Sequence, residues 1–258
     1  MDKDKVVIIT GAAMGIGKGI AEQLTSNYGK IIIADIAKNE GEKTARELTS
    51  KDCKVTFYYI NLLSDEEIEK MFDRIYKQYG RIDSLVCNAG IQIRYWATEF
   101  PMEEWDKLMN LNLRAYYVCC RIAAMYMQKK EKGSIVCISS VNGQMYHSKR
   151  SAYNISKAAI NGLVGTLAVE WGRFGIRINS VAPGYVETEV MLSGVREGII
   201  DKDELLSIIP MKRFIKINEI GSVVKFLLSD DASAVTGQII CVDGGWSRNA
   251  LPENRNMV

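Results

Sequence analysis

The sequence predicts a doubly wound α/β fold: one domain built on a seven-stranded parallel sheet with helices on both faces. Three observations predict it. Short β-branched runs alternate with helix-period segments along nearly the whole chain. Several of those runs are apolar on consecutive residues, as strands covered on both faces require. The 258 residues, 47% hydrophobic and 25% charged, suit one sizeable globular domain without linker, repeat or low-complexity tract.

The strand runs in order are Val6-Val7-Ile8-Ile9, Ile31-Ile32-Ile33-Ala34, residues 55–60, Ser84-Leu85-Val86-Cys87, Ile135-Val136-Cys137-Ile138, residues 176–181 and Ile239-Ile240-Cys241-Val242. Between the third and fourth, Ile68, Met71, Phe72, Ile75, Tyr76 and Tyr79 form one helical stripe, with Ser64 and Glu67 as an expected capping box. Long helices are expected over residues 103–129 and 153–174. Residues 189–213 break the strand–helix rhythm and are expected to form a lid. The polar tail, 247–258, is expected to be mobile or to pack on a neighbouring subunit.

Composition excludes several classes of function. With 33 basic and 31 acidic residues the formal charge is +2, which gives no electrostatic reason for nucleic-acid binding. No apolar run approaches a membrane span, and the polar start Met1-Asp2-Lys3-Asp4-Lys5 does not resemble a signal peptide. Six cysteines without a Cys-x-x-Cys pair, and a single histidine, read as reduced structural thiols of a cytoplasmic protein with no metal site.

At the end of the first strand stands Thr10-Gly11-Ala12-Ala13-Met14-Gly15-Ile16-Gly17, opening a helix. Glycines admit a tight turn and close approach to a pyrophosphate, whose charge a helix N-terminus favours. The spacing differs from Gly-x-Gly-x-x-Gly, so the turn alone also reads as a simple strand–helix connection. Asp35 ends the second strand, where a carboxylate accepts hydrogen bonds from an adenosine ribose and repels a 2′-phosphate; its structural alternative is a helix-start aspartate. Asn88-Ala89-Gly90 closes the fourth strand at the ligand-binding edge of such sheets. Together these favour a dinucleotide, and Asp35 favours NAD over NADP.

Tyr153 and Lys157 are one helical turn apart and share a face. A tyrosine with a pKa of about 10 becomes a useful base only when its phenolate is stabilised, which a nearby ammonium does. Taken alone the pair also reads as ordinary surface residues. Ser140, ending the fifth strand, can donate to a substrate oxygen beside Tyr153 or cap the following turn.

In order and spacing, Thr10-Gly11-x-x-x-Gly15-x-Gly17, Asn88-Ala89-Gly90, Asn112, Ser140, Tyr153-x-x-x-Lys157 and Pro183-Gly184 resemble the short-chain dehydrogenase/reductase family over the whole chain. The resemblance implies a Rossmann-type domain and an NAD-dependent enzyme interconverting an alcohol and a ketone. Tyr153 would be the general acid/base, and Ser140 would orient the substrate oxygen. Lys157 would bind the nicotinamide ribose and depress the Tyr153 pKa. Asn112 would hold a water linking Lys157 to solvent. Pro183, Gly184, Val186 and Thr188 would line the carboxamide, and Ile16 would lie near the pyrophosphate. The chain departs from the family with Asn61-Leu62 at the expected adenine contact and Cys87 before Asn88. Met14 stands where NADP-using relatives often carry arginine. Homotetramers or homodimers are the implied assemblies.

Positions expected to face substrate are Gln92, Arg94, Asn142, Gln144, Met145, Tyr146, His147, Arg150 and Tyr185, besides Ser140. So polar a set suits a polyhydroxylated or carboxylated compound. Gly90-Ile91-Gln92-Ile93-Arg94 also looks like the matching stretch of gluconate and keto-sugar-acid oxidoreductases, so a sugar, polyol or sugar acid is expected, with Arg94 or Arg150 near a carboxylate. Solvated surface charge is the alternative for both arginines. His147 reads as a pocket or surface residue. The rivals are a 3-oxoacyl thioester reductase, a hydroxysteroid dehydrogenase, an epimerase or dehydratase, and a non-catalytic NAD-binding sensor; the sensor would be expected to have lost Ser140, Tyr153 or Lys157.

Overall fold

A computed structural model describes residues 2–249. All seven expected strands form, as β1 (Asp2–Thr10), β2 (Tyr28–Asp35), β3 (Lys54–Tyr59), β4 (Ser84–Cys87), β5 (Gly133–Ile138), β6 (Ile176–Pro183) and β7 (Ile239–Val242). They make one parallel sheet in the order β3-β2-β1-β4-β5-β6-β7. The order reverses between β1 and β4, and there the carboxyl ends of the strands leave a crevice.

The helices are α1 (Gly15–Leu24), α2 (Lys38–Leu48), α3 (Asp65–Tyr79), α4 (Met102–Met109), α5 (Ala115–Gln128), α6 (Ser151–Trp171), α7 (Glu189–Arg196), α8 (Lys202–Ile208) and α9 (Ile217–Leu228). Strand alternation sorts them into two layers. Val7, Ile9, Ile31 and Ile33 face α1, α2 and α9, whereas Val6, Ile8, Ile32 and Leu85 face α3, α5 and α6. Each such wholly buried aliphatic side chain contributes about 1.5–3 kcal/mol of transfer free energy, which explains the continuous apolar runs.

Two expectations need correction. At α3 the Ser64 hydroxyl accepts from the Glu67 N–H, but the Glu67 carboxylate accepts from Asn61 N–H instead of returning to Ser64, so the box is only half built. The helix expected over 103–129 is interrupted by a π-helical turn, Asn110–Arg114, of a kind that concentrates at functional sites. The 189–213 segment holds two short helices, α7 and α8, each begun by a side-chain cap from Thr188 or Asp201.

Beyond the sheet, Val141, Ile209, Phe214 and Trp246 form a separate small core with Tyr185 and the inner residues of α7 and α8. It holds the 189–213 segment over the sheet's carboxyl edge. Trp246 is therefore a structural anchor, and it opens the turn Trp246–Arg248. The rest of the expected mobile tail, from residue 250, lies outside the described residues. All six cysteines are free thiols. Among the described residues no helix is long and apolar enough to cross a membrane.

Candidate active site

The cradle at the end of β1 is built around missing side chains. Gly11 and Gly15 take left-handed backbone angles, φ +63° and +57°. A Cβ on Gly17 would lie 2.2 Å from the Gly11 carbonyl oxygen and 2.6 Å from Asn88 Nδ2. Asn88 braces the turn, donating from Nδ2 to the carbonyls of Gly11 (2.7 Å) and Thr10 (3.1 Å). The N–H groups of Asn88 and Ala89 both donate to the Thr10 hydroxyl. The exposed Met14 precedes α1 without capping it, so the helix presents N–H groups where a diphosphate would lie. These residues fit a dinucleotide.

Asp35 takes the structural part foreseen for it, at the start of α2. One carboxylate oxygen accepts from Ala13 N–H and the other from Ala37 N–H, each at 3.0 Å, joining the glycine turn to the start of α2. Every carboxylate oxygen has a second lone pair, so acceptor capacity remains for a ribose. Asn61 and Leu62 follow β3. Asn61 Oδ1 accepts from Leu63 N–H, and Leu62 is buried in the core beside α3.

Ser140 lies two residues past the end of β5, not within the strand. Its hydroxyl oxygen accepts the Asn142 N–H at 3.1 Å and is hydrogen-bonded to Tyr153. With the backbone donor engaging one lone pair, the hydroxyl proton can point at a shared substrate oxygen. The capping role and the orienting role are thus compatible.

Lys157 is 4% exposed, and its Nζ donates to the Ile138 carbonyl at 2.9 Å. The same carbonyl accepts from the Tyr116 hydroxyl at 3.2 Å, and the Tyr116 ring centroid lies 5.3 Å from Nζ. Nothing in the local sequence of Tyr116 marks it as support for the lysine. Burial pushes the Lys157 ammonium down to about 8. Burial likewise raises the Tyr153 phenol, opposed by the Ser140 hydrogen bond and then by the Arg150 charge. Arg150 is thus one cation that favours the phenolate, and the Lys157 ammonium lies 5.7 Å from the Tyr153 ring centroid.

Asn112 sits at the π-helical turn and is buried. Its Oδ1 accepts from Ile91 N–H and its Nδ2 donates to Ile91 O, at 2.9 and 2.8 Å. The side chain thus pins the strand-end loop that carries Gly90 and Gln92. Gly15, Ile16, Asn88, Gly90, Ser140, Tyr153, Lys157, Pro183, Gly184 and Thr188 line one continuous cleft of about 330 Å³.

A second cleft of about 470 Å³ shares Ile16, Ser140, Tyr153, Gly184 and Thr188 and extends outward. Its walls carry Gln92, Arg94, Asn142, Arg150, Tyr185 and Val186 from the expected set. Met191, Ile199, Asp201, Glu204 and Leu205 of the 189–213 segment close the other side, and the structure adds Trp246. Arg150 is hydrogen-bonded to Tyr185, and Tyr185 stacks on Trp246 with centroids 4.5 Å apart. Neither Arg94 nor Arg150 is ion-paired with a described carboxylate.

Gln144 and His147 fall outside this cleft. Gln144 is exposed and turned toward Cys241, 3.8 Å away. His147 packs against Trp246 and pairs through Nδ1 with Asn142 Oδ1 at 3.1 Å; burial, then the Arg150 charge, holds its pKa below the ordinary value. Local spacing cannot distinguish these from their neighbours, because the connection turns through a 3₁₀ segment, Val141–Gly143.

A family model described as enoyl-(acyl carrier protein) reductase matches residues 11–247. The chain is 37% identical over 243 residues, 93% of its length and 97% of the relative's, to a 3-oxoacyl-[acyl-carrier-protein] reductase of Thermotoga maritima. It is 33% identical over 254 residues to levodione reductase of Leifsonia aquatica, covering 95% of this chain and 94% of that one. Among solved structures, a protein provisionally described as a gluconate dehydrogenase from Agrobacterium tumefaciens superposes with a TM-score of 0.90 at 29% identity, over 94% of this chain and 96% of that one.

Proposed function

The chain belongs to the short-chain dehydrogenase/reductase family, oxidoreductases acting on CH–OH and ketone groups with a nicotinamide cofactor, and on that premise we propose an NAD-dependent dehydrogenase of a sugar, polyol or sugar acid. The observation that carries the substrate class is the pair Arg94 and Arg150. Both line the cleft beside Tyr153, and neither has a carboxylate partner among the described residues. Charge-assisted hydrogen bonds to a substrate carboxylate would answer them. Gln92, Asn142 and Tyr185 add donors and acceptors for hydroxyl groups. Preference for NAD is supported by the Asp35 carboxylate at the end of β2 and by Met14 where an arginine would serve a 2′-phosphate.

The bound nicotinamide supplies the hydride acceptor or donor, and in its oxidised form a positive charge beside the phenol. The glycine cradle, the start of α1 and Asp35 would hold the dinucleotide; Lys157 and the Pro183–Thr188 stretch would hold its nicotinamide end. In the oxidative direction Tyr153, as phenolate, takes the proton from the substrate hydroxyl. Ser140 donates to the same oxygen and fixes its position. Arg150 stabilises the phenolate through its charge. In reduction Tyr153 returns the proton to the carbonyl oxygen.

The reading carries with it a small-molecule partner, a cytoplasmic location, and assembly into a homodimer or homotetramer without nucleic acid or membrane. A 3-oxoacyl thioester reductase is the second reading, supported by the Thermotoga relative. Measuring NAD- and NADP-linked turnover over sugar acids, polyols, steroids and acyl thioesters separates the two. Activity restricted to thioesters or steroids would overturn the first.

A further inference from the structure

Cys87 of β4, Cys137 of β5 and Cys120 of α5 converge beneath the sheet, their sulfurs all within 4.8 Å of one another. The Cys120 sulfur lies 3.8 Å from that of Cys87 and 3.9 Å from that of Cys137. Cys87 and Cys137 are register partners in the parallel ladder, so both side chains leave the sheet on the side covered by α5. Each alone is an ordinary small apolar residue. We propose that the three thiols form a binding site for a soft divalent metal ion held by three thiolates.

Geometry, softness and charge each support this. Metal–sulfur bonds of about 2.3 Å in a trigonal plane set sulfurs about 4.0 Å apart, close to the spacing already present. The three groups that converge offer only sulfur, which selects soft ions over magnesium or calcium. Three thiolates around a divalent ion leave one net negative charge in the core, and the Lys157 ammonium can compensate it. Lys157 is anchored on the carbonyl of Ile138, the residue after Cys137, and the lysine and cysteine act electrostatically on each other.

Binding breaks three S–H bonds, forms three metal–sulfur bonds and releases the thiol protons to solvent, with no change of oxidation state. Because the sulfurs are buried, loading requires local opening of α5 and is slow. Because Lys157 becomes the counter-ion of the complex, occupancy inhibits turnover.

The test is anaerobic titration of the reduced full-length chain with Cd(II), followed by thiolate-to-metal charge-transfer absorption and X-ray absorption at the metal. One Cd(II) per chain with three sulfur neighbours is expected. Cys137→Ala should weaken uptake at least tenfold, and the double variant Cys53→Ala, Cys241→Ser should leave it intact. Absence of uptake, oxygen or nitrogen ligation, binding indifferent to Cys137→Ala, or binding lost in the double variant would overturn the proposal. Should Cys137→Ala not fold, the sulfur count in the unaltered protein and the double variant decide. None of these readouts depends on the identity of the organic substrate.

Discussion

The Lys157 ammonium rests on the Ile138 main-chain carbonyl, 2.9 Å from Nζ, one residue past the buried Cys137. A charged group is thereby fixed at the end of β5 by backbone rather than by a carboxylate. Its position does not depend on the protonation of any neighbouring acid, but its desolvation goes largely uncompensated.

That cost has a pH signature. The folded-state pKa of Lys157, about 8, lies below the ordinary lysine value of 10.5, so between the two the unfolded chain binds the extra proton and stability rises with pH. Lys157→Met should abolish turnover yet stabilise the fold below pH 8. The gain has an upper bound of about 3.5 kcal/mol, at about 1.4 kcal/mol per pH unit, less the lost hydrogen bond. Above about pH 10.5 the advantage should vanish. Urea denaturation of both proteins at pH 7 and 10.5 checks it, and an equal difference at both values would count against a buried ammonium.

Tyr153→Phe keeps the ring and removes the proton carrier. Cofactor affinity should be unchanged, while turnover falls by about 10²–10⁴-fold. Fluorescence titration with NADH and steady-state kinetics measure the two separately. Near-normal turnover would show that another group moves the proton.

Arg94→Met and Arg150→Met should differ. Loss of a charge-assisted contact at either position is expected to cost about 1.5–3 kcal/mol for a carboxylated substrate, a ten- to hundredfold rise in KM, with little effect on a neutral polyol. Arg150 also opposes the burial of Tyr153, so Arg150→Met alone should move the pH profile of alcohol oxidation to higher pH. Equal loss with neutral and acidic substrates would argue against carboxylate recognition.

Asp35→Asn retains an acceptor for one of the N–H groups of Ala13 and Ala37 but removes the charge. The ratio of kcat/KM for NAD over NADP should fall at least tenfold, by about 1.4 kcal/mol or more in differential binding. An unchanged ratio would place cofactor choice elsewhere.

Gly17→Ala would place a methyl group 2.2 Å from the Gly11 carbonyl. The turn must then shift, and dinucleotide affinity should drop more than tenfold even where the sheet survives. Calorimetric titration with NADH, alongside circular dichroism, distinguishes loss of binding from loss of fold.

The sequence by itself determined the layered fold, because strands covered on both faces must be apolar on consecutive residues, as 31–34 and 135–138 are. It also determined the Ser140, Tyr153 and Lys157 set, since the relevant spacings are a strand end and one helical turn. Only the tertiary structure decided what those groups feel. Tyr116 and Ile138 support Lys157 across separate elements, and Trp246 returns from beyond β7 to close the cleft. The same holds for Gln144 and His147, which local polarity grouped with the substrate residues and the 3₁₀ turn after Ser140 directs elsewhere. Periodicity and spacing report which way a residue points on its own element. Desolvation and charge depend on what other elements bring within a few ångströms, and that is set by packing.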